Sequence, residues 1–200
     1  MKTKVLLIFL TALMISTLSL QAQNAEEKPS YSITANPAYY ILGGYSVKGY
    51  YITPQRWSFG LAAEASFELP DFARDQFFDN NEDITVDWDY LIGAEVRYRF
   101  SDSPIDKGLF LQAGFGYEGW TITNDDGQQE GFDNWYGNIG IGYTWYPFKR
   151  ENFHLGGNYN IVFILNETQD RVLGDSQYNI RPVVPPSFIP SIFLGWRFGG

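Results

Sequence analysis

The chain predicts an eight-stranded, antiparallel, up-and-down transmembrane β-barrel, and three observations carry that expectation. Apolar and aromatic residues recur at every second position through six long segments, the period of a strand with two unlike faces. The segments exceed the usual strand of about 5–6 residues. They match the roughly 9–11 residues that a tilted strand needs to cross a bilayer. The connections alternate between short and long, as in barrels with tight turns on one side of a membrane and loops on the other.

Residues 56–69, RWSFGLAAEASFEL, set Trp57, Phe59, Leu61, Ala63, Ala65 and Phe67 against Ser58, Gly60, Ala62, Glu64, Ser66 and Glu68. Residues 87–100, DWDYLIGAEVRYRF, set Trp88, Tyr90, Ile92, Ala94, Val96, Tyr98 and Phe100 against Asp87, Asp89, Leu91, Gly93, Glu95, Arg97 and Arg99. The same alternation runs through residues 108–120, 135–148, 153–166 and 187–198. Residues 31–52 must then supply the first hairpin, since bacterial single-chain barrels have an even number of strands. Its turn is placed at Gly43-Gly44, where glycine permits positive φ, with Asn36-Pro37 as the alternative. Short turns fall at 53–55, 101–107 and 149–152. Long acidic loops fall at 70–86, 123–134 and 167–186.

The two faces of each strand decide which side is inside. In water the aromatic face would be the core; in a membrane it faces lipid and the charged face lines the lumen. Eight strands enclose only enough room for side chains, and buried charges need partners. The inward parity set is Lys48, Glu64, Glu68, Asp89, Glu95, Arg97, Arg99, Glu118 and Arg197. From it, an interior ion-pair network is expected, centred on Glu64, Glu95, Arg97 and Glu118 with Lys48 and Arg197 below. Trp57, Tyr98, Trp145 and Trp196 lie near the short turns, and Trp88 and Trp135 near the long loops. They are expected to form two interfacial aromatic girdles.

Residues 1–22 read as a cleaved secretory signal peptide: basic Lys2 and Lys4, an apolar run over 5–15, and a small residue, Ala22. Residues 23–200 form the barrel domain, secreted to the outer membrane. No later run of about 18 apolar residues offers a membrane helix. The chain has no cysteine, so its stability is expected to come from the fold alone. A net charge of -9 argues against a nucleic-acid partner, and 18% aromatic residues argue against disorder.

Catalytic and metal motifs are sparse. The segment HLGGN, residues 154–158, with Glu167 downstream, resembles the His-x-Ser-Asn motif of outer-membrane lipid A deacylases of the PagL type. Gly156 stands where that motif has its nucleophilic Ser, and acyl transfer needs the hydroxyl. Neither acidic stretch, 79–83 or 124–130, fits the calcium-loop pattern. No catalytic residue, cofactor or metal is expected.

The whole pattern resembles the small outer-membrane barrels of the OmpA/OmpX/OmpW-like group. The last strand, PSIFLGWRFGG, resembles the C-terminal signal read by the barrel-assembly machinery, with Trp196 and Phe198 on its lipid face. The resemblance implies a monomer among outer-membrane lipids and lipopolysaccharide. The expected function is structural or surface-interacting, with an unknown extracellular ligand. A narrow channel for small or hydrophobic solutes is the alternative, and a lipid A-modifying enzyme the second.

Overall fold

A computed structural model describes residues 28–79, 83–166, 170–184 and 191–200. The expected signal peptide lies outside the described residues, as do Glu167 and most of the acidic stretch at 79–83. The barrel wall is built from β1 (Ser30–Ala35), β2 (Tyr45–Ile52), β3 (Trp57–Ala65), β6 (Ile84–Arg99), β7 (Gly108–Asn124), β8 (Gln129–Trp145), β9 (Phe153–Ile164) and β13 (Ser191–Gly199). Each pairs antiparallel with the next, and β13 returns to β1 with Ser30 opposite Gly199. The sheet therefore closes on itself through all eight strands.

Apolar residues cover its outside. Leu61 is 71% exposed and Ile92 65%, and Ile33, Phe115, Ile139 and Ile192 are each about half exposed. Meanwhile Glu95, Arg97 and Arg99 are buried. That inversion of the soluble pattern makes this a membrane-spanning barrel of the outer-membrane type. Leu61 and Ala94 are cross-strand partners on this apolar face. Leu61→Arg is expected to destabilise the barrel by about 2–4 kcal/mol in reversible urea unfolding from lipid vesicles. Loss of less than a tenth of that would mean the face is not in lipid.

The strands differ in height. β7 and β8 have 17 residues each and β6 has 16, whereas β1 has 6 and β2 has 8. At roughly 3.3 Å per residue the long strands rise well beyond a hydrocarbon core of about 30 Å. The expected loop at 123–134 is therefore mostly hairpin, reversing at Gly127 with φ +77. The described parts of the other long connections also hold regular elements. They contain β4 (Phe67–Glu68), a helix here called α2 (Asp71–Phe77), β5 (Phe78–Asp79), β10 (Asp170–Leu173), β11 (Ser176–Ile180) and β12 (Val183–Val184). β5, β10 and β11 form a small second sheet. The first hairpin turns through both candidate sites. Asn36 caps a short helix, α1 (Pro37–Ile41), accepting from the Ala38 N–H at 3.0 Å, and Gly43 follows with φ +91.

Inside these tall walls lies an apolar cluster that includes Phe67, Leu69, Phe78, Val86, Trp88, Trp120, Ile122 and Tyr178. Two backbone irregularities place it there. The pairing of β6 with β7 skips one residue, so that Trp88 faces Trp120 while Tyr90 faces Gly119 and Asp89 is the extra residue of a β-bulge. Across the sheet, Ser66 adopts φ +71 between β3 and β4, and its N–H bonds the Trp88 carbonyl at 2.6 Å. Both strands exchange faces there. Below, charges point in and apolar residues out; above, apolar residues point in.

This corrects the expected direction of four residues. Trp88 is no girdle residue: it is buried and stacks on Trp120 with centroids 5.3 Å apart and planes 9° apart. Phe67 turns inward, while Glu68 and Asp89 turn out to solvent. The carboxyl of Asp87, above the bulge, is held above the usual carboxylate range by partial burial and by its neighbours Glu68 and Asp89.

Candidate functional site

The lower lumen is spanned by a chain of alternating charge. Lys48 from β2 lies 3.3 Å from Glu64 of β3 and 3.5 Å from Glu95 of β6. Glu95 lies 3.0 Å from Arg97, whose other nitrogen is 3.5 Å from Asp106. Tyr50 donates its hydroxyl hydrogen to Glu95 and accepts from Arg97 Nη2 at 2.6 Å. Ser46 donates to Glu64 at 2.6 Å. The Arg97 guanidinium also lies over the rings of Tyr50 and Phe110, 4.2 and 4.5 Å from their centroids. A planar, delocalised cation suits such a site better than an ammonium would.

Local sequence explains this packing. Tyr50 pairs with Gly60 across the sheet, and a Cβ on Gly60 would come 2.5 Å from the Tyr50 ring. The missing side chain lets the ring lie flat on the wall and reach Glu95. Asp106 arrives differently, from the short turn at 101–107, where it and Ile105 are buried. Below, Arg99 donates to the carbonyls of Thr53, at 2.9 Å, and Gln55.

Lys48, Glu64, Glu95 and Arg97 therefore sit together. Lys48 lies between the two glutamates rather than beneath them. Glu118 and Arg197 do not join. Glu118 lies higher, with Trp120 and Trp88 as polar neighbours. Arg197, at the lower mouth, donates from Nε to the Glu151 carbonyl at 2.9 Å and from Nη1 to the Gly199 carbonyl at 3.0 Å. Two members escaped the sequence reading. Tyr50 shares the parity of Lys48 and could have been found from it. Asp106 lies in a turn, where parity says nothing.

Trp57, Trp135, Trp145 and Trp196 are exposed on the outer face, and Trp57 packs edge-on against Tyr98 at 5.0 Å. Phe198 is exposed beside them on the last strand. His154 is buried low in the lumen against Tyr146 and Phe193, with ring centroids 5.1 and 6.3 Å away. Gly156 offers no nucleophile beside it.

Above the charge chain the lumen widens into a cavity of about 360 Å³. Its floor carries Gln112, Asn138, Asn158 and Asn160. Gln112 Nε2 donates to Asn160 Oδ1 at 2.9 Å, leaving buried oxygens of Gln112, Asn138 and Asn158 without partners. Its upper walls carry Tyr39, Phe67, Phe77 and Trp88.

No protein-family model matches the chain, and no curated protein does. Solved structures similar to it include the N-terminal β-barrel domain of Pseudomonas aeruginosa OprF, at 18% identity and TM-score 0.44, covering 84% of this chain and 97% of that one. Outer Membrane Protein W of E. coli matches at 16% identity and TM-score 0.44, covering 86% and 100%. A major outer membrane protein from Thermus thermophilus matches at 10% identity and TM-score 0.46, covering 86% and 100%. In its own strand number, closure and outward apolar face, this chain has the architecture of a small outer-membrane barrel.

Proposed function

We propose that this chain is a non-enzymatic outer-membrane barrel. Its lumen is closed by side chains, and its outer cap serves a structural or surface-interaction role. The observation that supports this most is the continuous chain Glu64–Lys48–Glu95–Arg97–Asp106, which crosses a lumen only eight strands wide. Ions would have to displace paired, desolvated charges to pass. The cap, held on a rigid scaffold, is where contact with partners outside the cell belongs. Outward Trp57, Trp135, Trp145 and Trp196 suit contact with outer-membrane lipids and lipopolysaccharide. Trp196 and Phe198 suit recognition by the barrel-assembly machinery.

A second reading, passage of small or hydrophobic solutes, draws support from the cavity above the charge chain. Planar-bilayer recording separates the two. The protein is expected to give no resolvable unitary current. A steady unitary current that is lost in Arg97→Ala would replace the closed barrel with a channel.

A further inference from the structure

We propose that the cavity in the outer half of the barrel binds a small organic ammonium ion, its charge held at Glu118 and its body against Tyr39, Phe67 and Trp88. Glu118 lines this cavity and is only 2% exposed. Among the described residues it forms no ion pair. The indole N–H groups of Trp88 and Trp120 are its polar neighbours, and both are neutral, so its carboxyl has no countercharge. Lys48 also reaches the cavity, but Glu64 and Glu95 already engage it. A buried carboxylate with only neutral donors beside it is costly to ionise, and a cation beside it removes that cost.

The aromatic groups narrow the class of cation. Tyr39, Phe67 and Trp88 line the same space and contact one another, with centroids 5.0, 5.8 and 5.7 Å apart. Three rings clustered along one wall, with an acid lining the same space, suit an organic ammonium through cation–π attraction and apolar contact. A hydrated metal ion would gain little from the rings. The unpartnered amide oxygens of Asn138 and Asn158 lie deeper and accept a second donor on the same molecule. The rim matches. Ile41 and Leu42 of the α1 segment and Phe72 of α2 line the cavity and are also solvent-exposed, so an apolar body meets apolar lips first.

This site goes beyond the proposed role and stands whether or not the charge chain below passes ions; bilayer recording tests that separately. The test uses the full chain folded in lipid nanodiscs, with 2-phenylethylamine as probe and 3-phenylpropanoate as its anionic counterpart. Calorimetry and tryptophan fluorescence report binding, and Trp88→Phe identifies the responding indole. Saturable binding of the amine, at least tenfold tighter than the carboxylate, is expected. Glu118→Gln, which keeps the shape and removes the charge, is expected to weaken it at least tenfold. Ala73→Phe, which fills the cavity from α2 and leaves the barrel wall untouched, is expected to abolish it. It also serves if Glu118→Gln fails to fold. No saturable binding would overturn the proposal. So would equal binding of both probes, or amine binding that survives Glu118→Gln and Ala73→Phe.

Discussion

Glu95→Ala is expected to cost about 3–5 kcal/mol of barrel stability, the penalty for breaking a buried pair from one side. Glu95 is the hinge of the lumen network, touching Lys48, Arg97 and Tyr50 at once. Its removal leaves Arg97 with Asp106, at 3.5 Å, as its one acid, and Lys48 with Glu64 alone. The lost Coulomb energy matters less than the stranded charge, since the Arg97 guanidinium, 2% exposed, cannot turn to water in so narrow a lumen. A companion variant tests that cause. Replacing both Glu95 and Arg97 by Leu removes the pair together and is expected to recover part of the loss, because apolar replacement of a whole pair is often close to neutral. Asp106 then lacks its partner, so recovery stays incomplete. Urea unfolding from lipid vesicles, followed by fluorescence, measures both. A single variant costing under about 1 kcal/mol would show that the network is hydrated and exchangeable, as surface pairs are.

The membrane half of this molecule is legible in the sequence because lipid imposes one rule on every strand. Period-2 alternation gives the inward side of Lys48, Glu64, Glu95 and Arg97 directly, as the same pleat gives the outward side of Leu61 and Ile92. The outer half obeys a different rule. There the solvent is water, so the pattern must invert, and the chain inverts it in two ways. In β7 the parity is kept and the composition changes: inward Gln112, Gly114 and Gly116 give way to Trp120 and Ile122. That switch is visible in the sequence. In β6 and β3–β4 the composition continues and the parity changes, through one extra residue at Asp89 and a positive φ at Ser66. No local residue signal demands either. A serine at positive φ is uncommon, and a bulge inserts no special side chain. Each is set by the partner strand, which is why parity alone sends Trp88 and Phe67 to lipid. Glu118 illustrates the remaining gap. Its inward direction follows from parity, but its separation from Arg97 depends on how far up β7 it sits relative to the network.

Trp120→Ala is expected to open the outer cap while leaving the membrane barrel folded. The ring is 2% exposed, stacks on Trp88, and contacts Phe77 and Phe78 with centroids 5.4 and 5.8 Å away. Truncating such a side chain costs about 3–5 kcal/mol. The cost should fall on the cap, because the wall below is stapled by its own hydrogen bonds and by the lumen charges. Trypsin reports it. Arg74 is tied to the Ile84 carbonyl at 2.6 Å and Arg171 to Glu130 at 2.8 Å. Both lie in the cap and are partly buried while it is closed. When opening is fast relative to cleavage, the rate follows the open population. A loss of about 3 kcal/mol then speeds cutting at these arginines at least a hundredfold. An unboiled sample is expected to migrate anomalously in SDS gels, as a folded barrel does, and to keep that mobility after cleavage, since the eight-stranded wall is intact. Trp145→Ala, on the lipid face, serves as the control and should leave cleavage unchanged. If Trp120→Ala abolished the mobility shift together with cap protection, cap and barrel would be one cooperative unit. The face switch at Asp89 and Ser66 would then join two halves of a single core.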